Sequence, residues 1–357
     1  YSFGNEVGEA VDHARAQVAA LITAEPREII FTSCGTESNN AALNSALQTQ
    51  PGKRHIITTA VEHSANIKYG QMLEKRGVEV TWISVDRAGQ LDVHEIHEAI
   101  RDDTAMVSVM MANNETGVVF PIEEIAAICR IKDVPFHTDA VQTPGKIELD
   151  VKALGVDYLS LSAHKLHAPK GIGCLYVRQG LPYQSYIVGG GQESGRRGGT
   201  ENVAYMIAFG KAAEMATASL GGEVERIRAL RNRMEDGILE AIPGVTRNGA
   251  KEPRLASTSN LSFADCEAEA ILLLLNREGI CASSGSACTT GSMAPSHVLI
   301  AMGLSPEHAM GAVRFSLSKY TTDAEVDYLL EKLPGIIEKL RGASPKTEQP
   351  AAEAVNS

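Results

Sequence analysis

From about Asn5 to Lys211 the chain alternates amphipathic stretches with short runs rich in β-branched and aromatic residues: REIIFTS, HIITTAV, EVTWISV, AMVSVMMA, PFHTDA, DYLSLSA and GCLYVR. That alternation predicts βα units, hence a largely parallel central sheet covered by helices, an α/β fold. Past the Gly-rich stretch GGGQESGRRGGT the rhythm changes. A charged helix is expected near Glu223–Glu240, a strand at SNLSF, a helix at AEAILLLLNREG, and strands at GICASS and VRFSLS. This predicts a second, smaller α/β domain. The expected division is a large domain over residues 1–215, a small one over 216–342, and a tail over 343–357. The tail's sequence, ASPKTEQPAAEAVNS, is too polar to order itself.

A 44% hydrophobic content across 357 residues is enough to build a sizeable core. With 33 Lys and Arg against 44 Asp and Glu, the net charge is −11, so the long-range field opposes nucleic acid and anionic membrane as partners. The longest apolar runs are much shorter than the roughly 20 residues that a spanning helix needs. Six cysteines, Cys34, Cys129, Cys174, Cys266, Cys281 and Cys288, lie scattered without a CxxC pair, which suits neither a disulfide scaffold nor a zinc knuckle. Reduced thiols in the cytoplasm are expected. The sequence opens on YSFGNEV, with no initiating Met and no signal segment, as processing or an incomplete start would leave it.

Five runs carry candidate chemistry. SLSAHKLHAPKGIG ends a β-rich run with Ser162, His164 and Lys165. A lysine nucleophile needs a desolvated or cation-flanked site to lose its proton near neutral pH, and the two neighbours suit phosphate or proton contacts. PFHTDAVQTPGK puts Asp139 at a strand end, with Gln142 just beyond; such an Asp either caps a helix or holds a pyridine nitrogen protonated. FTSCGTESNNAAL passes from strand through Gly35 and Thr36 into a helix, whose first N–H groups face any anion placed there. His63, in TAVEHSAN, is placed either as an ordinary loop residue or flat over an aromatic cofactor. MMANNETG ends a strand with Asn113 and Asn114, turn formers or donors to a ring substituent. Each run alone is weak; together they gather at strand ends, the edge where open α/β sheets bind ligands.

With these runs the sequence resembles the class V aminotransferase family of fold-type I pyridoxal-phosphate enzymes, and within it the nitrogen-fixation type of cysteine desulfurase. The resemblance runs from SFGNEV to about Leu340, carried also by GGGQESGRRGGTENV, ASSGSACTTGSMAPSH and VRFSLSKYTT. It implies pyridoxal 5'-phosphate as cofactor. Lys165 would be the Schiff-base lysine, Asp139 the partner of the pyridine nitrogen, Gln142 that of the phenolic oxygen, and His63 the residue stacked on the ring. Asn114 would lie toward substrate and cofactor. Gly35, Thr36, Ser162 and His164 would bind the phosphate, with Thr200 reaching across from the second subunit of a homodimer. Arg314 would hold the substrate carboxylate with its planar fork.

By the same resemblance Cys288 takes the sulfur of L-cysteine as a persulfide, releasing alanine, and passes it to an iron–sulfur scaffold protein. Its surroundings, SSGSACTTGSMAPS, are small and Gly-rich, as a thiol that must travel requires. Lys165 is the expected base at the substrate α-carbon, with His63 moving protons. Members of this type carry an Asp-Asn-Asn-Ala-Thr-Thr strand ahead of the SFG motif, which is expected to complete the small domain. The alternatives are a selenocysteine lyase, another enzyme of the class V aminotransferase type, and a silent scaffold that binds an assembly partner.

Overall fold

The computed structural model describes residues 2–285 and 294–343. Every β-rich run of the first two-thirds of the chain forms a strand of one seven-stranded sheet. These are β1 Ile29–Thr32, β2 His55–Thr59, β3 Glu79–Ile83, β4 Thr104–Ser108, β5 Phe136–Asp139, β6 Tyr158–Ser162 and β7 Gly173–Val177. Their order across the sheet is β1-β7-β6-β5-β4-β2-β3. All pairings are parallel except those of β7, which runs against both β6 and β1. The carboxyl ends of β1, β2, β4, β5 and β6 therefore emerge at a single edge.

Strands β2, β4, β6 and β7 are buried along their whole length, as expected of a sheet covered on both faces. On one face Val18, Phe31, Val107, Phe136 and Phe209 belong to a core that includes the helices Ser2–Leu21, Ile122–Ile131 and Val203–Ser219. On the other, the helices Gly35–Thr49 and Ser64–Glu74 bury Ala42, Leu43 and Leu73 against Ile30, Ile56 and Met106.

A four-stranded antiparallel sheet follows, with β8 Val245–Arg247, β9 Thr258–Phe263, β10 Ser283–Ser284 and β11 Ala312–Ser316 in the order β10-β11-β9-β8. Leu261, Phe263 and Val313 on this sheet share a separate core with the helices Gly222–Ala241, Ala268–Arg277 and Asp323–Ala343. The expected GICASS strand shrinks to two residues, and the three-residue β8 had no period-2 run long enough to announce it. The short helix His297–Ala301 belongs to neither pattern: it buries Val298 and Leu299 in the core of the large sheet. Among the described residues no helix is long and apolar enough to cross a membrane.

Candidate active site

A cavity of about 260 Å³ opens at the carboxyl edge of the parallel strands. Cys34, Gly35, Thr36, Asn39, His63, Asn114, Asp139, Gln142, Ser162, His164, Lys165 and Arg314 all line it. Sequence reading had placed most of these in one site, and the reason they meet is topological: five parallel strands deliver their following loops to the same edge.

Asp139 ends β5, and its carboxylate is held from two sides. Asn39 Nδ2 donates to Oδ2 at 2.6 Å, and the backbone N–H of Val141 donates to Oδ1 at 2.9 Å. Asn39 stands one turn into the helix Gly35–Thr49 and was not singled out from sequence; its spacing of four from Gly35, which places both on one helical face, was the available signal. That helix begins at Cys34, whose backbone is extended, so its first N–H groups point into the cavity mouth beside Gly35 and Thr36. Gly35 has no room for a side chain: a Cβ there would lie 2.8 Å from Val141 Cγ2. Cys34 is half-buried in the cavity wall.

Lys165 lies in the single turn Ala163–Leu166 that follows β6. The turn closes with His167 in the left-handed region, φ 65°, which sends the chain away from the sheet immediately after the lysine. Ser162 Oγ and His164 Nδ1, both just ahead of it in sequence, lie 2.9 Å apart. Burial pushes the His164 imidazole below its usual range, and Lys165 and Lys170 reinforce the shift.

His63 caps the helix Ser64–Glu74 by accepting from the Ala65 N–H at its Nδ1, 3.1 Å away, which leaves the proton of the neutral ring on Nε2. Burial lowers its pKa, the charge of Asp139 opposes that shift, and Lys165 and His297 add to it. A neutral imidazole is thus favoured at pH 7. The carboxyl of the adjacent Glu62 is fully buried and accepts from the Met110 N–H at 2.8 Å, from Thr59 Oγ1 and from Asn66 Nδ2. Desolvation dominates there and drives its pKa up to about 8, with Asp139 adding to the rise.

The paired asparagines separate cleanly. Asn113 is the turn former: its Oδ1 accepts from the N–H groups of Glu115 and Thr116, and its Nδ2 donates to Val61 O. Asn114 faces the cavity, and its Oδ1 is buried with no donor among the described residues. Arg314, in the middle of β11, brings the small sheet to the site and donates from Nη1 to Asn114 O at 2.8 Å. A neighbouring cavity of about 280 Å³ shares Asn114, Gln142, His164, Lys165 and Arg314 with the first. Lys146 lines it, and burial with Lys165 and Arg314 nearby lowers that ammonium to about 8. Thr200 is exposed and lines neither cavity. Cys288 lies outside the described residues.

Pyridoxal phosphate fits these walls. An anion cradle, a carboxylate fixed by two donors, a lysine, a neutral histidine and an unmet acceptor on Asn114 supply complementary groups for its phosphate, ring nitrogen, aldehyde, ring face and polar substituent.

The aminotransferase class-V family model matches residues 1–329. The chain is 57% identical over 345 residues to cysteine desulfurase 2 of Trichormus variabilis, covering 97% of this chain and 86% of that protein. To the cysteine desulfurase NifS of Azotobacter vinelandii it is 49% identical over 346 residues, again 97% and 86%. A solved NifS-like protein superposes with a TM-score of 0.89 at 37% identity, covering 95% of this chain and 90% of that one. This chain belongs to the class-V aminotransferase family, among its cysteine desulfurases of the NifS kind, which depend on pyridoxal phosphate.

Proposed function

We propose that the chain converts L-cysteine to L-alanine and holds the released sulfur as a persulfide on Cys288, for transfer to a scaffold protein that assembles iron–sulfur clusters, with nitrogen fixation as the setting. The observation that carries this reading is the single cavity into which Lys165, Asp139, His63 and Arg314 all open. When bound there, pyridoxal phosphate supplies an aldehyde for the substrate amine and a ring that draws electrons from its α-carbon.

The residues divide the labour. The carboxylate of Asp139, oriented by Asn39 and Val141, would hold a proton on the ring nitrogen of the bound cofactor. His63 would hold the cofactor's ring and Gln142 its phenolic oxygen. The Gly35 and Thr36 N–H groups, with Ser162 and His164, receive the phosphate. Lys165 takes the α-proton of the substrate as a base, while Arg314 grips its carboxylate beside Asn114. The Cys288 thiolate then attacks the substrate sulfur: an S–S bond forms as the carbon–sulfur bond breaks, and the carbon keeps that electron pair, takes up a proton and leaves in alanine. Gly285 lines the cavity, and Cys288 follows three residues later, a span of at most about 11 Å of extended backbone.

Thr200 would complete the phosphate site of a second copy in a homodimer. Its exposure supports that assignment, as do the exposed Val188, Tyr205 and Ile207 in the same stretch. We also assign residues 1–215 to the cofactor-binding domain and 216–342 to the smaller one, and place the protein in the cytoplasm. The test is Cys288→Ala in the holoenzyme. The visible band of the bound cofactor, and its change when cysteine is added, should persist while sulfide and alanine formation from cysteine is lost. Retained turnover would refute the sulfur-carrying role.

A further inference from the structure

Glu115 has no part in the chemistry above, yet it is 2% exposed and stands where three parts of the molecule meet. Its own backbone belongs to the turn after β4: the N–H donates to Asn113 Oδ1, and the carbonyl accepts from Asn260 Nδ2 on β9 of the small sheet. Its carboxyl accepts a hydrogen bond from Ser296 Oγ. It also fills the space beside Gly285 so closely that a Cβ there would collide with Glu115 Oε2. Gly285 and Ser296 flank the stretch that contains Cys288, so one buried carboxyl touches chain on both sides of it.

The tie on the far side is reinforced. Ser296 Oγ donates to Glu115 and also accepts from the Leu299 N–H, capping the helix His297–Ala301, so both functions of the hydroxyl are used. The next residue, His297, bonds through Nε2 to the carbonyl of Glu62 at 2.9 Å, immediately before His63. Val298 and Leu299 then bury themselves in the large core. Asn114 and His63, two cavity residues, are thus each one residue from a group that anchors the Ser296 side.

We propose that Glu115 is a positioning residue for the sulfur-transfer step: through Ser296 and Gly285 it fixes the two anchor points from which Cys288 must reach the substrate. This rests on the reading of Cys288 as sulfur acceptor. Mutual placement of reacting groups is sensitive on the ångström scale, so loosening an anchor lowers the rate of the thiol step without altering how the cofactor or cysteine is held.

The test compares Glu115→Ala, Glu115→Gln and Ser296→Ala holoenzymes with wild type. The measurements are the cofactor band, its change on adding cysteine, alanine formation, and the rate at which iodoacetamide alkylates Cys288, followed by mass spectrometry. In Glu115→Ala and Ser296→Ala the band and its response to cysteine should remain, alanine formation should fall by up to roughly a hundredfold, and Cys288 alkylation should change. Glu115→Gln keeps an acceptor for Ser296 and the same volume, so it should restore most of the turnover. Wild-type turnover in both truncations would overturn the proposal. So would a cofactor band lost along with turnover, or a glutamine variant as slow as the alanine one. A Cys288→Ala enzyme that still turned over would instead defeat the underlying reading, whatever Glu115 did.

Discussion

The two sheets contribute to the site in opposite ways. The large sheet offers the carboxyl ends of five parallel strands, and from them come Gly35, His63, Asn114, Asp139 and Lys165, each at or just beyond the end of its strand. The small antiparallel sheet offers the side chain of one residue in mid-strand, Arg314, held between Asn260 of β9 and Ser283 of β10. A parallel sheet stacks loop after loop on one edge, so it can assemble several groups around a cofactor. An antiparallel sheet sends successive loops to opposite edges, and what it presents most firmly is a side chain on its face. On the proposed roles, the groups that would serve the cofactor come from one sheet and the grip on the substrate carboxylate from the other.

That division can be broken in three places. The largest effect is expected from Lys165→Ala, which removes the proposed covalent attachment and the proposed base together: no turnover should remain, and the visible band of the lysine-bound cofactor should be absent. An unchanged spectrum would contradict the assignment. Next, Arg314→Ala should lower kcat/KM for cysteine about a hundredfold, the range expected for losing charge-assisted hydrogen bonds. The loss should fall mainly on KM, because the grip is made in the bound substrate as well as during reaction. Equal losses in kcat and kcat/KM would place Arg314 in the chemistry and erase the distinction between the sheets.

The smallest effect concerns the large sheet alone. His137 is fully buried on β5, with Ser108 Oγ 2.8 Å from Nδ1 and Ser160 Oγ 2.9 Å from Nε2, and burial lowers its pKa to about 3. The folded ring stays neutral while the unfolded one takes up a proton below its usual pKa of about 6.5. The resulting stability is complete above that value and is lost as the pH falls toward 3. About 1 kcal/mol should disappear between about pH 6.5 and about pH 5.5 from this group. Urea unfolding at the two pH values should show this loss shrinking in His137→Asn; an identical loss in the variant would remove His137 as its source.

How much was legible in the sequence follows the same contrast. All seven strands of the large sheet were visible as short runs rich in β-branched and aromatic residues bounded by turn formers. Lys165, Asp139 and Gly35 were legible because each stands at a strand end with a turn or helix start behind it. Asn39, Glu62 and Glu115 were not. Their roles depend on which side chain lies across a cavity, and nothing in a helical or strand period marks an acid that will be buried beneath a loop. The three-residue β8 escaped, and the GICASS strand was read longer than the two residues that pair, for a different reason: runs that short carry no period to read. Asn113 and Asn114 were indistinguishable as neighbours, and only the turn's hydrogen bonds assign one to structure and the other to the cavity.

The reversed strand β7 has one more consequence. Because it runs against its neighbours, it begins, rather than ends, at the edge where the cavity lies, and Gly173 is wedged there between Thr32 and Ser162. A Cβ on Gly173 would sit 2.7 Å from the carbonyl carbon of Cys34, in the backbone that leads into the anion cradle. A reversed strand of this kind gives up one loop as a place where new chemistry can be tried. In exchange the helix-start end of the cavity rests on a floor with no side chain of its own, and any residue larger than glycine at position 173 would be felt first by the backbone of Cys34 above it.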